Sequence, residues 1–454
     1  MHLFPAWLRA GGARDVAYGR SRSRQSPGFA AASRSAARRR VLIIVENLPV
    51  PFDRRVWAEA TTLVDAGYEV SVISPKLKGY AADYEEIDGV HVYRHHLREA
   101  GDSRCGYFKE YASALQAQLR LAFKVRRERG FDIIHACNPP DLIFLVAGLF
   151  KLLLGARFIF DHDDLCPELF EAKFSRKGFL HSALLLMERL TFALADVSIA
   201  TNDSYREIAV RRGRMRPERV FVVRSGPRLD RLVIGAGEEA LKEGRMHLVG
   251  YVGVIGKQEG LDLLIGAVSH LVGHIGRKDA HFAIIGDGPE LPAIRKLAQE
   301  KGVSGYFTFY GRVSDERFLK ILNTADVCVN SDRCCAMNDK STMNKILEYM
   351  ALGKPIVQFD LTEGRRSAGG ASLYARADNA ADFAMKIDML LGDPELRRDM
   401  GAIGRDRVVR QFNWGCSAPV LIRAYAKALE KRDRRKTAAR APAGGAAPSP
   451  AARP

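Results

Sequence analysis

Lys345 and Glu348 stand three residues apart in the run from Asn338 to Val357, where a polar loop, a helical stretch, a stop at Gly353 and an apolar strand follow in order. That spacing puts both side chains on one face of a helix, near its N-terminus. There the ammonium can neutralise a diphosphate and the carboxylate can accept two hydrogen bonds from ribose hydroxyls. The competing reading is a solvent-exposed ion pair of little consequence. Asp339, Lys340, Ser341 and Asn344 precede or flank the pair and are candidates to surround the same ligand.

A second concentration of ionisable groups, Asp161-His162-Asp163-Asp164, ends the apolar run that begins at Arg157. Such a succession is costly in a core and natural in a cleft. Asp161 and Asp163 also match a weak acid pair for a divalent ion, but a positioning histidine flanked by acids is the better reading, with no metal. Asp161, His162 and Asp163 then face an acceptor. Asp53, Arg54 and Arg55 close the loop after the first strand candidate. The two arginines fall in a first helical turn, where cations oppose the helix dipole unless an anion compensates. They either bind an acceptor phosphate or form a solvated pair beside Asp53 and Glu59. His135 also ends a strand and reads as a packed, hydrogen-bonded histidine.

Three small-residue loops complete the set. Gly253-Val254-Ile255-Gly256-Lys257-Gln258-Glu259-Gly260 follows one strand and precedes a helix, so backbone amides and a helix N-terminus can meet phosphate there. Gly286-Asp287-Gly288-Pro289 follows the next strand, and Gly311-Arg312-Val313 the one after. Each alone reads as a turn; three on one edge of one sheet favour a nucleotide pocket.

These groups need strands and helices to hold them. Val41 to Val45 is wholly apolar, as in a central parallel strand buried on both faces. Asp53 can cap a helix that stops at Gly67, and Tyr68 to Ser74 is the next strand. Strand candidates at Val90, Asp132, Arg157, Val197 and Val220 continue an α/β alternation, and a second series runs from Leu248 through Phe282, Tyr306, Val327 and Pro355. Two Rossmann-like parallel sheets are expected, at residues 40–225 and 246–413, joined by a Gly-rich linker at 226–245 and followed by a helix at 414–430. Ligands of open parallel sheets bind beyond the carboxyl ends of the strands, so the site falls in the cleft between the domains. The loop after the first strand lacks G-x-G-x-x-G, which disfavours a nicotinamide or flavin cofactor.

Composition narrows the class. The chain of 454 residues is 47% hydrophobic and 27% charged, as in soluble globular enzymes. Its net charge of +17 is concentrated in an Arg-rich segment at 1–39 and an Ala/Pro/Arg tail at 431–454, both expected to be disordered. The first reads as a basic extension, an organelle transit peptide or the product of a misplaced start codon. Without interleaved aromatics the tails predict no specific nucleic-acid partner. The seven cysteines show no paired spacing for zinc or disulfides, which fits a reducing cytoplasm. The apolar run Leu142 to Leu154 is too short to span a bilayer and reads as a buried helix. A basic helix over 109–129 (Lys109, Arg120, Lys124, Arg126, Arg127, Arg129) is either a peripheral membrane contact or an ordinary surface helix.

VLIIVENLPVPFDRRVW, FDIIHACNPPDL, FDHDDLCPELFEAKF, YVGVIGKQEGLDLL, IIGDGPEL and NKILEYMALGKPIV together resemble the family-4 retaining glycosyltransferases of the GT-B fold, over about Arg40 to Ala424. The likeness is greatest to members acting in exopolysaccharide, capsule or lipid-linked oligosaccharide assembly. It implies transfer of a sugar from a UDP or GDP donor to a glycan or lipid-linked acceptor, by front-face attack and without a metal or other cofactor. Lys345 and Glu348 then act on the donor with Gly253, Gly256, Lys257, Gly286, Gly288, Val313, Asp339, Lys340, Ser341 and Asn344, and His162 orients the sugar from across the cleft.

The chain departs from that family at three places. Lys340 stands where the first Glu of the paired-Glu motif is expected; either Asp339 takes over or the loop register differs by one. Val254 and Glu259 stand where the family tends to have Arg and Lys, so Lys345, with Lys257, carries more of the diphosphate charge. Two rivals follow: a nucleotide-sugar 2-epimerase, which shares the architecture, and a non-catalytic nucleotide-sugar-binding scaffold.

Overall fold

The computed structural model describes residues 39–96, 104–139, 141–174 and 178–440. The first domain holds β1 (Arg40–Ile44), β2 (Glu69–Pro75), β3 (Tyr84–Ile87), β4 (Val90–His95), β5 (Ile133–Cys137), β6 (Arg157–His162), β7 (Val197–Ala200) and β8 (Val220–Val222), in sheet order β3-β4-β2-β1-β5-β6-β7-β8. Val41, Leu42, Ile43 and Ile44 are all buried, because helices cover both faces of β1. Every pairing is parallel except β3 with β4. That hairpin turns at Asp88-Gly89, where φ is 49° and 79°, the mirror-image turn that suits strand twist. Sequence reading overlooked β3, an edge strand whose Tyr-Glu-Glu-Ile has no buried residue to mark it.

The second domain is a six-stranded, wholly parallel sheet: β9 (His247–Val252), β10 (Ala280–Ile285), β11 (Phe307–Gly311), β12 (Val327–Asn330), β13 (Ile356–Phe359) and β14 (Ser372–Ala375), in order β11-β10-β9-β12-β13-β14. The loops after β9, β10 and β11 therefore lie side by side, as the three Gly-rich segments require.

Two boundaries differ from expectation. Leu232 and Leu241 are buried with Leu248 and Ile346 in the second core, so most of the 226–245 linker packs as part of that domain. The crossover itself is at Gly226, where a Cβ would lie 2.1 Å from the carbonyl oxygen of Phe412. The last helix, Trp414–Arg440, continues past residue 430 into the segment expected as a tail, and it returns to the first domain. There Leu421, Tyr425 and Ala428 join Val41, Trp57 and Leu63 in one core, and Trp414 Nε1 donates to Thr62 Oγ1 at 2.9 Å. Expectations for residues 1–38 and 441–454 lie outside the described residues. The helix Phe144–Leu154 buries Val146, Ala147 and Phe150 but leaves Leu145, Leu152, Leu153 and Leu154 exposed, so the buried helix expected at 142–154 is buried along one stripe only. No helix among the described residues is long and apolar enough to cross a membrane.

Candidate functional site

A cavity of about 360 Å³ opens between the domains. Its first-domain wall carries Asp163, Asp164, Thr201 and Ser225, from loops after β6, β7 and β8, and Tyr205, from the helix Asp203–Arg211. Its second-domain wall carries Val254, Gln258 and Glu259 after β9, Asp332 after β12, and Met337, Asn338 and Ser341 to Lys345. Both walls are carboxyl ends of strands, where open α/β sheets bind ligands. A shallower depression of about 720 Å³ near Arg245, Arg277 and Asp388 lies at the amino ends of β9 and β10, away from that edge.

Lys345 opens the helix Asn344–Ala351, which no side chain caps at Met343. A helix start lined by Met343, Asn344 and Lys345 on the cavity wall offers amides and dipole to an anion. Lys345 Nζ lies 2.9 Å from Asp332 Oδ1 and 4.9 Å from the centroid of the Tyr251 ring. It reaches the first glycine of the β9 loop, since a Cβ on Gly253 would sit 3.3 Å from it. Glu348 is half-buried, and among the described residues it has no ion-pair partner. Lys345 and Glu348 therefore do not form the exposed pair that the spacing also allowed. Burial pushes the Glu348 carboxyl up to about 7, against the pull of Arg54 and Arg231.

Glu348 is not among the residues that line the cavity, but two other acids are. Asp332 is 1% exposed and its Oδ2 has no hydrogen bond. Glu259, whose Oε2 is likewise unpaired, is pushed up to about 7 by burial and then by Asp332. Sequence reading used Glu259 only as a missing cation and overlooked Asp332; the rule that found the other loops also selects the one after β12.

The glycines of the second domain divide by role. A Cβ on Gly286 would lie 1.7 Å from the Gly253 carbonyl oxygen, and one on Gly288 2.3 Å from that of Ile255. These two glycines hold the β9 and β10 loops backbone against backbone and act on the pocket through that packing. A Cβ on Gly256 would meet Glu259 Oε2 at 2.7 Å. Val313 is half-buried against the core around Leu232 and Leu241, and Lys257 is exposed and off the cavity wall.

The loop before Lys345 resolves the question raised by Lys340. Asp339 accepts from Thr362 N at 2.8 Å and Thr362 Oγ1 at 3.1 Å, so it holds the start of the helix Thr362–Ala368 and does not replace the missing motif carboxylate. Lys340 Nζ crosses to the first domain and pairs with Glu168 at 3.2 Å. Asn202 Nδ2 donates to Lys340 O and Thr342 Oγ1 at 2.8 and 3.0 Å, and the Tyr205 hydroxyl meets Ser341 Oγ at 3.2 Å. These contacts close one side of the cleft.

In the first domain three expectations are corrected. Arg55 is buried and binds Asp161 through Nε and Nη2 at 3.1 and 2.8 Å, with further bonds to Val223 O and Ser225 Oγ. It is neither a solvated cation nor free for an acceptor phosphate. Asp161, fully buried, is its counter-ion; burial raises the carboxyl, but Arg55 and then His135 hold it well below the usual range. His162 is also fully buried, with neither ring nitrogen hydrogen-bonded, among Phe160, Phe192 and Tyr205. Burial and Arg212 lower it to about 3, so it is a neutral core side chain and does not reach the sugar's side of the cleft. Of the Asp161-His162-Asp163 triplet only Asp163 lines the cavity, beside Asp164. Asp53 caps the helix Arg54–Asp65, and Arg54 bridges to Asp315 of the second domain at 3.2 Å. His135 packs as expected, 2.6 Å from the Tyr425 hydroxyl. Glu59, His135, Cys137 and Asp161 bring metal-type donors within 4.8 Å of one another. Arg55, 3.3 Å from Glu59 and 2.8 Å from Asp161, already supplies the cation there.

Two Rossmann-like domains that face each other across a cleft define the GT-B fold. Residues 53–226 match the family described as "Glycosyl transferase 4-like domain" and residues 246–393 the family described as "Glycosyl transferases group 1". Together the matches cover well over half of the chain, which belongs to these glycosyltransferases. Alpha-maltose-1-phosphate synthase of Mycolicibacterium smegmatis is 26% identical over 312 residues, 62% of this chain and 76% of that protein. The lipopolysaccharide core biosynthesis glycosyltransferase LpsE of Rhizobium meliloti is 31% identical over 160 residues, 35% of this chain and 43% of the relative. In structure the chain is similar to sucrose-phosphate synthase from Thermosynechococcus elongatus, with a TM-score of 0.65 at 18% identity over 88% of this chain and all of that one.

Proposed function

We propose that this glycosyltransferase takes a hexose from a UDP- or GDP-sugar, with retention of anomeric configuration, and passes it to a glycan or lipid-linked acceptor in cell-surface polysaccharide assembly, on the cytoplasmic side of a membrane. The observation that carries this reading is Lys345: a nearly buried ammonium at an uncapped helix start, on the wall of the interdomain cavity. Lys345 and the helix amides stabilise charge as the nucleoside diphosphate leaves, and the scheme uses no metal. Glu348 receives the ribose hydroxyls. The acceptor enters along the first-domain wall at Asp163 and Asp164, and the Lys340–Glu168 contact helps exclude water that would hydrolyse the donor.

A thermal-shift panel of nucleotide sugars, followed by transfer assays with the stabilising donor, tests the reading. The expected result is a selective rise in melting temperature and an α-linked product from an α-linked donor. An isomerised free donor would replace the reading by an epimerase, and a bound donor with no transfer to any acceptor by a scaffold.

The two carboxyls near 7 give a signed pH dependence. Below pH 7 Glu348 gains a proton and loses acceptor capacity, so nucleotide affinity falls on the acid side. Above pH 7 Glu259 ionises and repels the diphosphate, so affinity falls on the alkaline side as well. Calorimetry should give a maximum near pH 7 with limbs of up to about tenfold per unit. Glu348→Gln should flatten the acid limb and Glu259→Gln the alkaline one; a pH-independent affinity in the parent protein would refute both assignments.

A further inference from the structure

We infer that three helices of the first domain form a docking face for an anionic lipid leaflet; this rests on the reading that the acceptor is lipid-linked. Helices Arg104–Glu128, Phe144–Leu154 and Phe179–Leu194 cover one side of the first sheet, each contributing to the core beneath through Val125, Phe150 and Phe192. A water-facing helix normally turns polar side chains outward. The second and third do not: Leu152 is 82% exposed, Leu153 63%, Phe179 86%, Leu180 56% and Leu186 57%. Gly148 lies against Leu194 and Lys151 donates to Leu194 O, so the second and third helices are neighbours and their apolar side chains belong to one surface. Glu188, the sole acid in these two helices, is fully buried.

The first helix adds the charge. Arg120, Phe123, Lys124 and Arg127 follow one another at helical spacing along its exposed side. Phe123 joins them to the apolar surface by packing on Phe150, ring centroids 4.9 Å apart. Exposed leucines and phenylalanines beside a cationic stripe match a leaflet in which acyl chains lie under acidic headgroups. A soluble protein partner would need no such sign of charge, and a second copy of this chain would bring the same cations face to face. The helix Phe179–Leu194 runs back between the parallel strands β6 and β7, so Phe179 and Leu180 stand at the carboxyl edge of the sheet, the edge that carries the cavity. The basic helix expected from sequence is thus one edge of the face, and its centre is apolar.

The test is flotation of the full chain with phosphatidylcholine vesicles, with and without phosphatidylglycerol, beside nucleotide thermal shifts on the same samples. Parent protein should float with the anionic vesicles and be released by salt. Leu152→Gln combined with Leu186→Gln should lower binding at least about tenfold and leave the nucleotide-induced shift unchanged, which establishes that the variant is folded. Lys124→Glu combined with Arg127→Glu should abolish the preference for anionic lipid. Absence of flotation in a parent protein that binds nucleotide would overturn the inference, as would flotation unaffected by the leucine changes, which would assign binding to the basic termini. A concentration-dependent dimer that Leu186→Gln dissociates would overturn it in favour of a second copy. Because donor binding is read separately, failure of the transferase reading would show as a missing thermal shift.

Discussion

Replacing Lys345 by alanine lowers the turnover of sugar transfer by roughly two to three orders of magnitude, the usual cost of removing a group that faces charge developed in the transition state. Cys334→Ala, outside the cavity wall, leaves turnover near the parent value. The effect is large here because other cations are scarce. Val254 and Glu259 occupy the loop after β9, Lys257 is exposed and not among the lining residues, and Lys340 is committed to Glu168. The loss must be separated from misfolding, since Lys345 also neutralises Asp332, itself 1% exposed. The double variant Lys345→Ala, Asp332→Asn removes the stranded charge. It should melt close to the parent temperature and remain as inactive as the single variant. Recovery of activity in the double variant would mean that Lys345 only offsets Asp332.

Arg55→Ala should cost about 3–5 kcal/mol of first-domain stability, because it strands buried acids without their cation. Asp161 and Glu59 are 0% exposed, and both Glu59 oxygens lack hydrogen bonds even with Arg55 present. Arg55→Lys should rescue little, since an ammonium cannot reproduce the two bonds to Asp161 together with those to Val223 O and Ser225 Oγ. Chemical denaturation followed by tryptophan emission checks this, Trp57 being in the same core. A loss below about 1 kcal/mol would mean that the cluster is hydrated in solution and that Arg55 is available to a ligand after all.

The alternation of apolar runs with helix-length segments was enough to read both sheets, because parallel strands covered on both faces are continuous apolar stretches. Elements that break that rule were lost: β3 carries Glu85 and Glu86 on an edge, and β14 is only Ser-Leu-Tyr-Ala. The return of Trp414–Arg440 to the first domain was illegible, since no local pattern distinguishes an apolar stripe that packs on a nearby sheet from one that packs on a distant sheet.

At the site, the helix start read from the 338–357 run puts Lys345 on the cavity wall, whereas Glu348, three residues on, is not among the lining residues. Sequence reading misplaced His162 and Asp161 because β6 is covered on both faces, so both of its alternating rows of side chains are buried. Both lie within β6 and turn into the core, whereas Asp163 and Asp164 follow its end and line the cavity. The fate of Asp339 was equally hidden, for its partner Thr362 is distant in sequence. Gly286 and Gly288 were recognised, but the reason for glycine there, contact with the Gly253 and Ile255 carbonyls, needed the fold.

The central claim, that the helix beginning at Asn344 grips an activated sugar by its diphosphate and ribose, is tested most directly by a crystal structure with a bound nucleotide sugar. The account predicts diphosphate oxygens against Lys345 Nζ and the first amides of that helix, and both ribose hydroxyls on Glu348. A ligand bound outside the cavity between Asp163 and Lys345, or bound there with its base where the diphosphate is expected, would contradict it.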